Sequence, residues 1–450
     1  MNPNGRAAVL QKMTYPADKY LLMGKYKPCQ FKLNYAKHPT MKSLVLATLS
    51  AFTFLVLQGS AAAKPLKVFV LAGQSNMEGH AKIETFDYIG DAPATAPLLK
   101  MMRSADGKPT VCDHVWISYL TGKFDGSANG EGLGKLTAGF GARGSSPTQD
   151  GGKIGPEFTF GLVMDKALQE PVLLIKTAWG GRSLNTEFRP PSAGPYEFSE
   201  AQLAQMQKQG KDIAAMKAEK AKETGRFYNY MIEHVKKVLA DPKRVCPSYD
   251  PAAGYEIVGF VWLQGFNDLV DGNTYPAGAD GKTKDYTKYG EWLADFIRDV
   301  RKDLKAPKMP FVIGVLGVGG LNPGENTLAF RKAMAAPASL PEFKGNVIAV
   351  ETAPFWSEEL AAIDAKHGQL KGKRAGLEKK VKEGKMTKGE ADAEAKKLEA
   401  ELISPAEATL WARGASNQGY HYLGCAKTFA LMGKAFAEAT LKLQNSNGNR

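Results

Sequence analysis

The chain of 450 residues contains 23% charged and 44% hydrophobic residues, and its formal net charge is +13. Residues 1–63 carry +7 of that charge, which leaves +6 for residues 64–450. This mild excess, with no basic run interleaved with aromatic residues, excludes a typical nucleic-acid-binding protein. The cysteines form no CxxC pair and no HExxH motif occurs, so we expect neither a metal ion nor another cofactor.

The N-terminal region predicts an export signal at residues 41–63. A basic start at Met41-Lys42 precedes a 14-residue apolar run over Leu44–Leu57, and a small-residue A-x-A site follows. This order is typical of a secretory signal peptide, and the run is shorter than the roughly 20 residues that a membrane span requires. We therefore interpret residues 1–40 as an over-extended start and expect a secreted or periplasmic mature chain from Lys64, without a stable membrane span. The alternative is a buried helix of the domain.

Residues 64–450 predict one α/β domain with a parallel sheet. Apolar runs alternate with amphipathic stretches, as in a sheet covered by helices on both faces. The predicted strands are Val68–Ala72, Pro171–Ile175, Ile257–Trp262, Pro310–Leu316 and Asn346–Glu351. The predicted helices are Phe158–Gln169, Arg226–Leu239, Tyr289–Leu304, Thr327–Ala335 and Gly424–Leu443.

Three segments are predicted insertions in this domain. Residues 199–224 begin with a capping box and are expected to form a helix, and the charged residues 357–402 to form an antiparallel helical hairpin. The simplest interpretation of the hairpin's mixed Lys/Glu pattern is a solvated face, with docking to a partner as the alternative. Residues 121–155 contain eleven glycines and are expected to form a long loop. In an exported protein, one disulfide could form between two of the cysteines Cys112, Cys246 and Cys425.

The pentapeptide Gly73-Gln74-Ser75-Asn76-Met77 directly follows the first predicted strand. A glycine allows a sharp turn there and places Ser75 at the carboxyl edge of the sheet, where ligands bind in open α/β folds. A serine in that position is a candidate nucleophile, provided that other segments supply a base and oxyanion donors. The alternative is a serine that caps the next helix.

Two later strands end in residues suited to stabilise an oxyanion. Gly180 and Gly181 let a backbone N–H approach a substrate oxygen, and Asn267 can direct its side-chain NH2 at the same oxygen. Glycine and asparagine are also ordinary turn residues, so the interpretation depends on three successive strands ending in complementary groups. We expect His421, in the loop before the last helix, to be the base rather than His80. The alternative is a packed histidine.

These motifs resemble known hydrolases. Four blocks are similar to those of the SGNH (GDSL-like) hydrolases: Gly73-Gln74-Ser75, Gly180/Gly181, Gly265-Phe266-Asn267-Asp268 and a late histidine. A second set resembles the sialate O-acetylesterase-type carbohydrate esterases: Gly-Gln-Ser-Asn-Met, Gly155-Pro156-Glu157, Trp179-Gly180-Gly181 and Trp262-x-Gln264-Gly265. The resemblance covers most of residues 66–440 and implies a three-layer flavodoxin-like fold and a metal-free esterase that removes acetyl groups from sugars. It implies that Ser75 is the nucleophile, His421 the base, and Gly181 and Asn267 oxyanion donors together with the Ser75 amide.

One position departs from that family. The resemblance implies an Asp three residues before the histidine, where this chain has Gln418. A glutamine oxygen can accept a bond from Nδ1–H but cannot neutralise an imidazolium, and an amide in place of the triad carboxylate costs on the order of 10⁴ in kcat elsewhere. Asp268 and Glu351 are candidates for the acid, although Asp268 is better suited to hold its own turn. Glutamates 358 and 359, a backbone carbonyl or a Ser-His dyad are alternatives.

Gln74, Trp179, Arg182 and Gln264 are candidates for contacts with the substrate. A Trp face can pack on a sugar ring, and an Arg can bind hydroxyls or a carboxylate. In the alternative, Trp179 lies in the core and Arg182 pairs with a structural acid. The function that we expect is a secreted serine esterase that removes O-acetyl groups from carbohydrate, sialate O-acetylesterase-like or acetylxylan esterase-like. The alternatives are a weak or inactive glycan-binding protein on the same fold, and an esterase of lipids or other esters.

Overall fold

The computed structural model describes residues 64–120, 130–143 and 152–448, so the predicted export signal lies outside the described residues. Within that part of the chain, no helix has both the length and the apolarity needed to cross a membrane. The strands are β1 (Leu66–Gly73), β2 (Ala81–Lys82), β3 (Val115–Leu120), β4 (Glu131–Lys135), β5 (Lys153–Ile154), β6 (Val172–Ala178), β7 (Tyr255–Leu263), β8 (Phe311–Val315) and β9 (Val347–Glu351).

Seven of the described strands form one mostly parallel sheet, in the order β4-β3-β6-β1-β7-β8-β9, with β4 antiparallel to β3. Strands β2 and β5 form a separate antiparallel pair. Within the large sheet, β6-β1-β7-β8-β9 is the 2-1-3-4-5 order of flavodoxin-like folds, which bind ligands at the carboxyl ends of their strands. The register pairs Gly73 with both Ala178 and Leu263, so the ends of β6, β1 and β7 lie side by side. The five predicted strands and the α/β fold class are confirmed.

The helices are α1 (Ser75–Glu78), α2 (Ala96–Met102), α3 (Glu157–Leu168), α4 (Glu200–Lys208), α5 (Ile213–Glu223), α6 (Arg226–Ala240), α7 (Phe266–Leu269), α8 (Thr287–Asp303), α9 (Glu325–Ala335), α10 (Glu358–Lys382), α11 (Lys388–Leu402), α12 (Pro405–Gly414) and α13 (Ala426–Gly448). Phe69 of β1 faces α3, where its ring centroid lies 5.5 Å from that of Phe160. Trp262 of β7 faces α8, where its ring centroid lies 4.3 Å from that of Phe296. Both faces of the central strands are therefore covered, as their continuous apolar sequences require.

Two expectations about the insertions change. The long loop predicted over residues 121–155 contains the strands β4 and β5, although residues 121–129 and 144–151 lie outside the described residues. The helix predicted over residues 199–224 is two helices, α4 and α5. The chain turns between them at Gly210, whose φ of 64° lies in the left-handed region that ends helices.

The hairpin prediction is confirmed by α10 and α11, and α11 begins with a capping box between Thr387 and Glu390. The expected disulfide is corrected, because all three cysteines of the described residues are buried and free: Cys112, Cys246 and Cys425.

Candidate active site

Ser75 lies just after the carboxyl end of β1. The strand ends at Gly73, which occupies a space that admits no side chain. A Cβ on Gly73 would lie 2.1 Å from the carbonyl oxygen of Leu263, the last residue of β7. The chain then turns into α1, whose first residue is Ser75, and only 8% of Ser75 remains exposed. The backbone N–H of a first helical residue has no intrahelical acceptor, so the Ser75 amide is suited to bind an oxyanion.

The end of β6 lies against this turn. The Trp179 amide donates to the Gly73 carbonyl oxygen at 3.2 Å. A Cβ on Gly180 would lie 3.5 Å from the Cβ of Ser75, so the Gly180 backbone lies beside the serine. Gly181 follows with a φ of 73°, a left-handed conformation that glycine adopts without steric cost. Gly180 therefore lies close to Ser75, and the role of Gly181 as an oxyanion donor stays a prediction.

A buried chain of amides sets the orientation of Asn267. Gln74 Oε1 accepts hydrogen bonds from the backbone N–H groups of Gly265 (3.1 Å) and Asn267 (3.3 Å), which identifies that atom as the oxygen. Gln74 Nε2 then donates to Asn267 Oδ1 at 2.9 Å. The Asn267 oxygen thus faces Gln74, and its NH2 group, which has no hydrogen bond to the described residues, is left to bind an oxyanion.

Asp268 anchors this network. It is fully buried and accepts bonds from the backbone N–H groups of Leu184 (2.8 Å) and Asn185 (3.0 Å) and from the Tyr275 hydroxyl (2.6 Å). It also accepts a 2.6 Å bond from Gln264 Nε2. Burial raises the pKa of Asp268 to about 6, while these donors favour its carboxylate. Asp268 therefore holds the turn that follows β7. The sequence analysis found it better suited to this role than to that of the acid that orients the histidine.

Gln74 and Gln264 are consequently not substrate contacts. Their exposures are 1% and 2%, and Gln264 Nε2 also donates to Gln74 Oε1 at 3.2 Å. The expectation that both bind substrate is corrected: they transmit the orientation set by Asp268 to Asn267.

The partner of His421 is Asn417. Asn417 Oδ1 lies 2.9 Å from His421 Nδ1 and accepts a 2.8 Å bond from the backbone N–H of Gln418. Because a backbone N–H can only donate, the shared atom is the amide oxygen, and the proton of the neutral imidazole lies on Nδ1. His421 Nε2 therefore carries the lone pair that a general base needs.

The surroundings keep His421 neutral. Its ring is parallel to that of His80, with centroids 3.8 Å apart. Burial, followed by the charges of His80 and Lys153, lowers the pKa of His421 to about 3. The imidazole is thus unprotonated at neutral pH, and within the described residues no carboxylate is bonded to Nδ1 to stabilise an imidazolium.

Ser75 and His421 lie in adjoining segments. Asn76 Nδ2 donates to the carbonyl oxygen of Tyr420 at 3.2 Å, which joins the residues next to each of them. Among the described residues, no hydrogen bond links Ser75 to His421 directly. In unliganded sites such bonds are often long and tighten only in the substrate complex, so this spacing is compatible with a catalytic pair.

The His421 loop is a strained turn held by buried contacts. Tyr422 and Leu423 both have positive φ, 51° and 60°, a conformation that costs about 1–3 kcal/mol for each such residue. The Tyr422 hydroxyl accepts a 2.7 Å bond from the Gly317 amide and lies 2.8 Å from Thr352 Oγ1. These contacts to the ends of β8 and β9 hold the loop over the carboxyl edge of the sheet.

The candidate acid Glu351 lies at the end of β9, at the far edge of the sheet from β4, and is exposed. Partial desolvation of its carboxyl group, although the residue as a whole is exposed, raises the pKa of Glu351, which the charge of Arg331 opposes. Neither Glu351 nor Asp268 bonds to His421, so the expectation that one of them orients the imidazole is corrected by the contact with Asn417.

The expected sugar contacts of Trp179 and Arg182 are also corrected. Trp179 is 7% exposed, and its ring centroid lies 5.1 Å from that of Phe227, so its faces are covered by the core. The Arg182 guanidinium lies over the Phe227 ring at 4.3 Å and pairs with Glu187 at 3.5 Å. The alternative interpretation therefore applies to both residues: Trp179 packs in the core, and Arg182 pairs with an acidic side chain.

Lys176 is a supporting residue that the sequence interpretation missed. Its fully buried Nζ donates to Glu157 Oε2 (2.7 Å) and to the carbonyl oxygens of Glu78 and Phe140 (2.8 Å each). Burial lowers the pKa of Lys176 and raises that of Glu157, while their mutual attraction opposes both shifts. Because Glu78 ends α1, this pair fixes the helix that carries Ser75. A lysine within an apolar strand, together with the Gly-Pro-Glu motif, was the signal available in the sequence.

No group of three or more His, Cys, Asp or Glu side chains within the described ranges is arranged to hold a metal ion.

Three comparisons place the chain among known proteins. Residues 142–354 match the model of a family described as carbohydrate esterase, sialic acid-specific acetylesterase. No curated protein matches significantly. The similar solved structures include a protein of Arabidopsis thaliana, with 17% identity over 64% of this chain and 86% of that chain and a TM-score of 0.33. They also include a carbohydrate acetylesterase of Xanthomonas citri, with 14% identity over 63% of this chain and 49% of that chain and a TM-score of 0.34.

The matched segment spans β5 to β9 and includes Gly180, Gly181 and Asn267, while Ser75 and His421 lie outside it. The resemblance to the sialate O-acetylesterase-type carbohydrate esterases is confirmed over this segment, since residues 142–354 match the carbohydrate esterase, sialic acid-specific acetylesterase family.

Proposed function

We propose that this protein is an exported serine esterase that removes O-acetyl groups from carbohydrate, with Ser75 as nucleophile and His421 as base. The family match supports an O-acetyl esterase acting on carbohydrate. The observation that carries the mechanism is the contact of Asn417 Oδ1 with both the Gln418 amide and His421 Nδ1. It leaves His421 Nε2 unprotonated at the edge of the sheet where Ser75 stands.

In the proposed reaction, Ser75 Oγ attacks the acetyl carbonyl carbon while His421 Nε2 takes the hydroxyl proton. The negative oxygen of the tetrahedral intermediate is bound by N–H groups of Ser75, Gly181 and Asn267. The intermediate collapses, the C–O bond to the sugar breaks, and His421 returns the proton to the leaving sugar oxygen. Water, deprotonated by His421, then hydrolyses the acetyl-serine, and acetate leaves with Ser75 restored.

Release of acetate from acetylated xylan and from O-acetylated sialic acid tests the activity and compares the two sugar classes. Ser75→Ala is expected to abolish acetate release, and Ser104→Ala, at an exposed serine, to retain it. Full activity in Ser75→Ala would remove this mechanism. Export is tested by the N-terminus of the protein recovered outside the cytoplasm, which is expected at Lys64; recovery of residues 1–40 on that protein would contradict it.

The amide partner of His421 favours a second candidate, a glycan-binding protein with little catalysis. An amide oxygen orients the imidazole but does not neutralise the imidazolium that an esterase forms. The two functions differ in their response to a fluorophosphonate, which an esterase binds covalently at its serine and an inert binding protein does not.

A further inference from the structure

We propose that Tyr420 and Phe266 form an aromatic platform. This platform binds one face of the sugar ring to which the acetyl group is attached. The inference rests on the proposed function, since it names the subsite for the leaving group of the same ester. Trp179, which the sequence suggested for this role, is covered by the core.

The platform adjoins both sides of the candidate catalytic centre. Phe266 directly precedes Asn267, the proposed oxyanion donor, and Tyr420 directly precedes His421, the proposed base. The Phe266 and Tyr420 ring centroids lie 5.8 Å apart with their planes inclined by 36°. The Tyr420 ring also lies 4.5 Å from the imidazole of His421. An acetyl group held between Asn267 and His421 therefore places its sugar next to these rings.

The two rings are accessible and already held in position. Tyr420 is 45% exposed, whereas Phe266 is half-buried and packs against the core. The Tyr420 backbone is fixed by the bond from Asn76 to its carbonyl oxygen. A surface that is ordered before binding loses little conformational entropy when a ligand arrives.

The chemistry of the platform suits the apolar face of a pyranose. Neutral aromatic rings offer a large contact area with few rotatable bonds, and they pack against the C–H groups on one face of a sugar while its hydroxyls stay in water. Two further apolar side chains, Val270 and Leu321, are 58% and 62% exposed in the segments that follow β7 and β8, whose carboxyl ends lie at this edge of the sheet. The platform therefore selects esters whose alcohol is a ring over esters of short alkyl alcohols.

Binding of acetylated xylotetraose to the Ser75→Ala protein, measured by isothermal titration calorimetry, tests the platform without requiring turnover. Adding Tyr420→Ala is expected to raise Kd about 5- to 10-fold, the scale of one lost aromatic contact. Adding Tyr420→Phe, which keeps the ring, is expected to restore most of the affinity. Tyr255→Ala is the matched control, because Tyr255 is 42% exposed at the start of β7, on the opposite edge of the sheet.

An equal Kd with and without Tyr420→Ala, or a Ser75→Ala protein that does not bind the oligosaccharide, overturns the platform. A rise in Kd with Tyr255→Ala equal to that with Tyr420→Ala also overturns it. Acetate release by the wild-type protein is measured separately and tests the proposed function, so a failure of the platform and a failure of the esterase activity are distinguished.

Discussion

Replacing Asn417 by Asp supplies the negative charge that His421 lacks. The carboxylate oxygen would take the place of Asn417 Oδ1, 2.9 Å from His421 Nδ1, and would keep the bond from the Gln418 amide. The centres of a carboxylate and an imidazolium in such contact lie about 4 Å apart, where an effective dielectric constant of about 20 gives an attraction of about 4 kcal/mol. At 1.36 kcal/mol per pKa unit this is about three units, which desolvation of the new carboxylate reduces to about two.

The pKa of His421, lowered by burial to about 3 in the natural protein, should therefore rise in Asn417→Asp to about 5. Because the same attraction stabilises the imidazolium formed during attack, kcat should rise about 10- to 100-fold. This is less than the roughly 10⁴-fold effect on kcat of exchanging Asp and Asn in a complete Ser-His-Asp triad. Initial rates of p-nitrophenyl acetate hydrolysis between about pH 4 and 9 measure both effects.

Gln418→Asp is the matched control, because residue 418 is where the resemblance implies an acid, yet it is exposed and only its backbone N–H bonds to Asn417. Little change is expected from it. A gain in Gln418→Asp, with none in a folded Asn417→Asp, would refute the assignment of Asn417 as the group that orients His421.

Three further outcomes follow from the buried polar groups. Since His421 is a base only when neutral and its folded pKa is about 3, a pH–rate profile should show the loss of kcat/KM caused by its protonation only near pH 3, while a separate fall near pH 6 is expected from protonation of Asp268. Asp268→Asn turns an NH2 towards two donors, so urea unfolding should report a loss of about 2–4 kcal/mol and kcat should fall about 10- to 100-fold. Asp280→Asn, at an exposed carboxylate, should change stability and kcat much less, and equal effects of the two changes would contradict the anchoring role. Lys176→Met leaves Glu157 buried and unpaired and should cost about 3–5 kcal/mol, part of which Glu157→Leu should recover; an unchanged midpoint in the single variant would count against this ion pair as a support of α1.

The sheet could be predicted from the sequence largely because its central strands are apolar on both faces. Five such runs predicted the parallel strands of the core, and with them the edge of the sheet at which their carboxyl ends lie. Strand β4 could not be found in this way, since its sequence Glu-Gly-Leu-Gly-Lys has low strand propensity and pairs with β3 through the backbone. The break between α4 and α5 depends on one glycine, which helical periodicity alone does not place.

The candidate site was predictable where residues follow directly from strand ends. Ser75, Gly180 and Asn267 come together because β1, β6 and β7 are neighbours in register. The partner of His421 was not predictable, because it depends on how a strained loop folds back and places Asn417, four residues away, against the imidazole. Trp179 was misassigned because a sequence does not reveal which aromatic face the core covers.

The central claim is that Ser75 is a nucleophile activated by His421. Mass spectrometry of the protein after reaction with a fluorophosphonate, compared with its His421→Ala variant, measures this directly. The account predicts a single covalent adduct on the peptide that contains Ser75, formed much more slowly in the variant. An unmodified Ser75, or an adduct that forms equally fast without the imidazole, would contradict it.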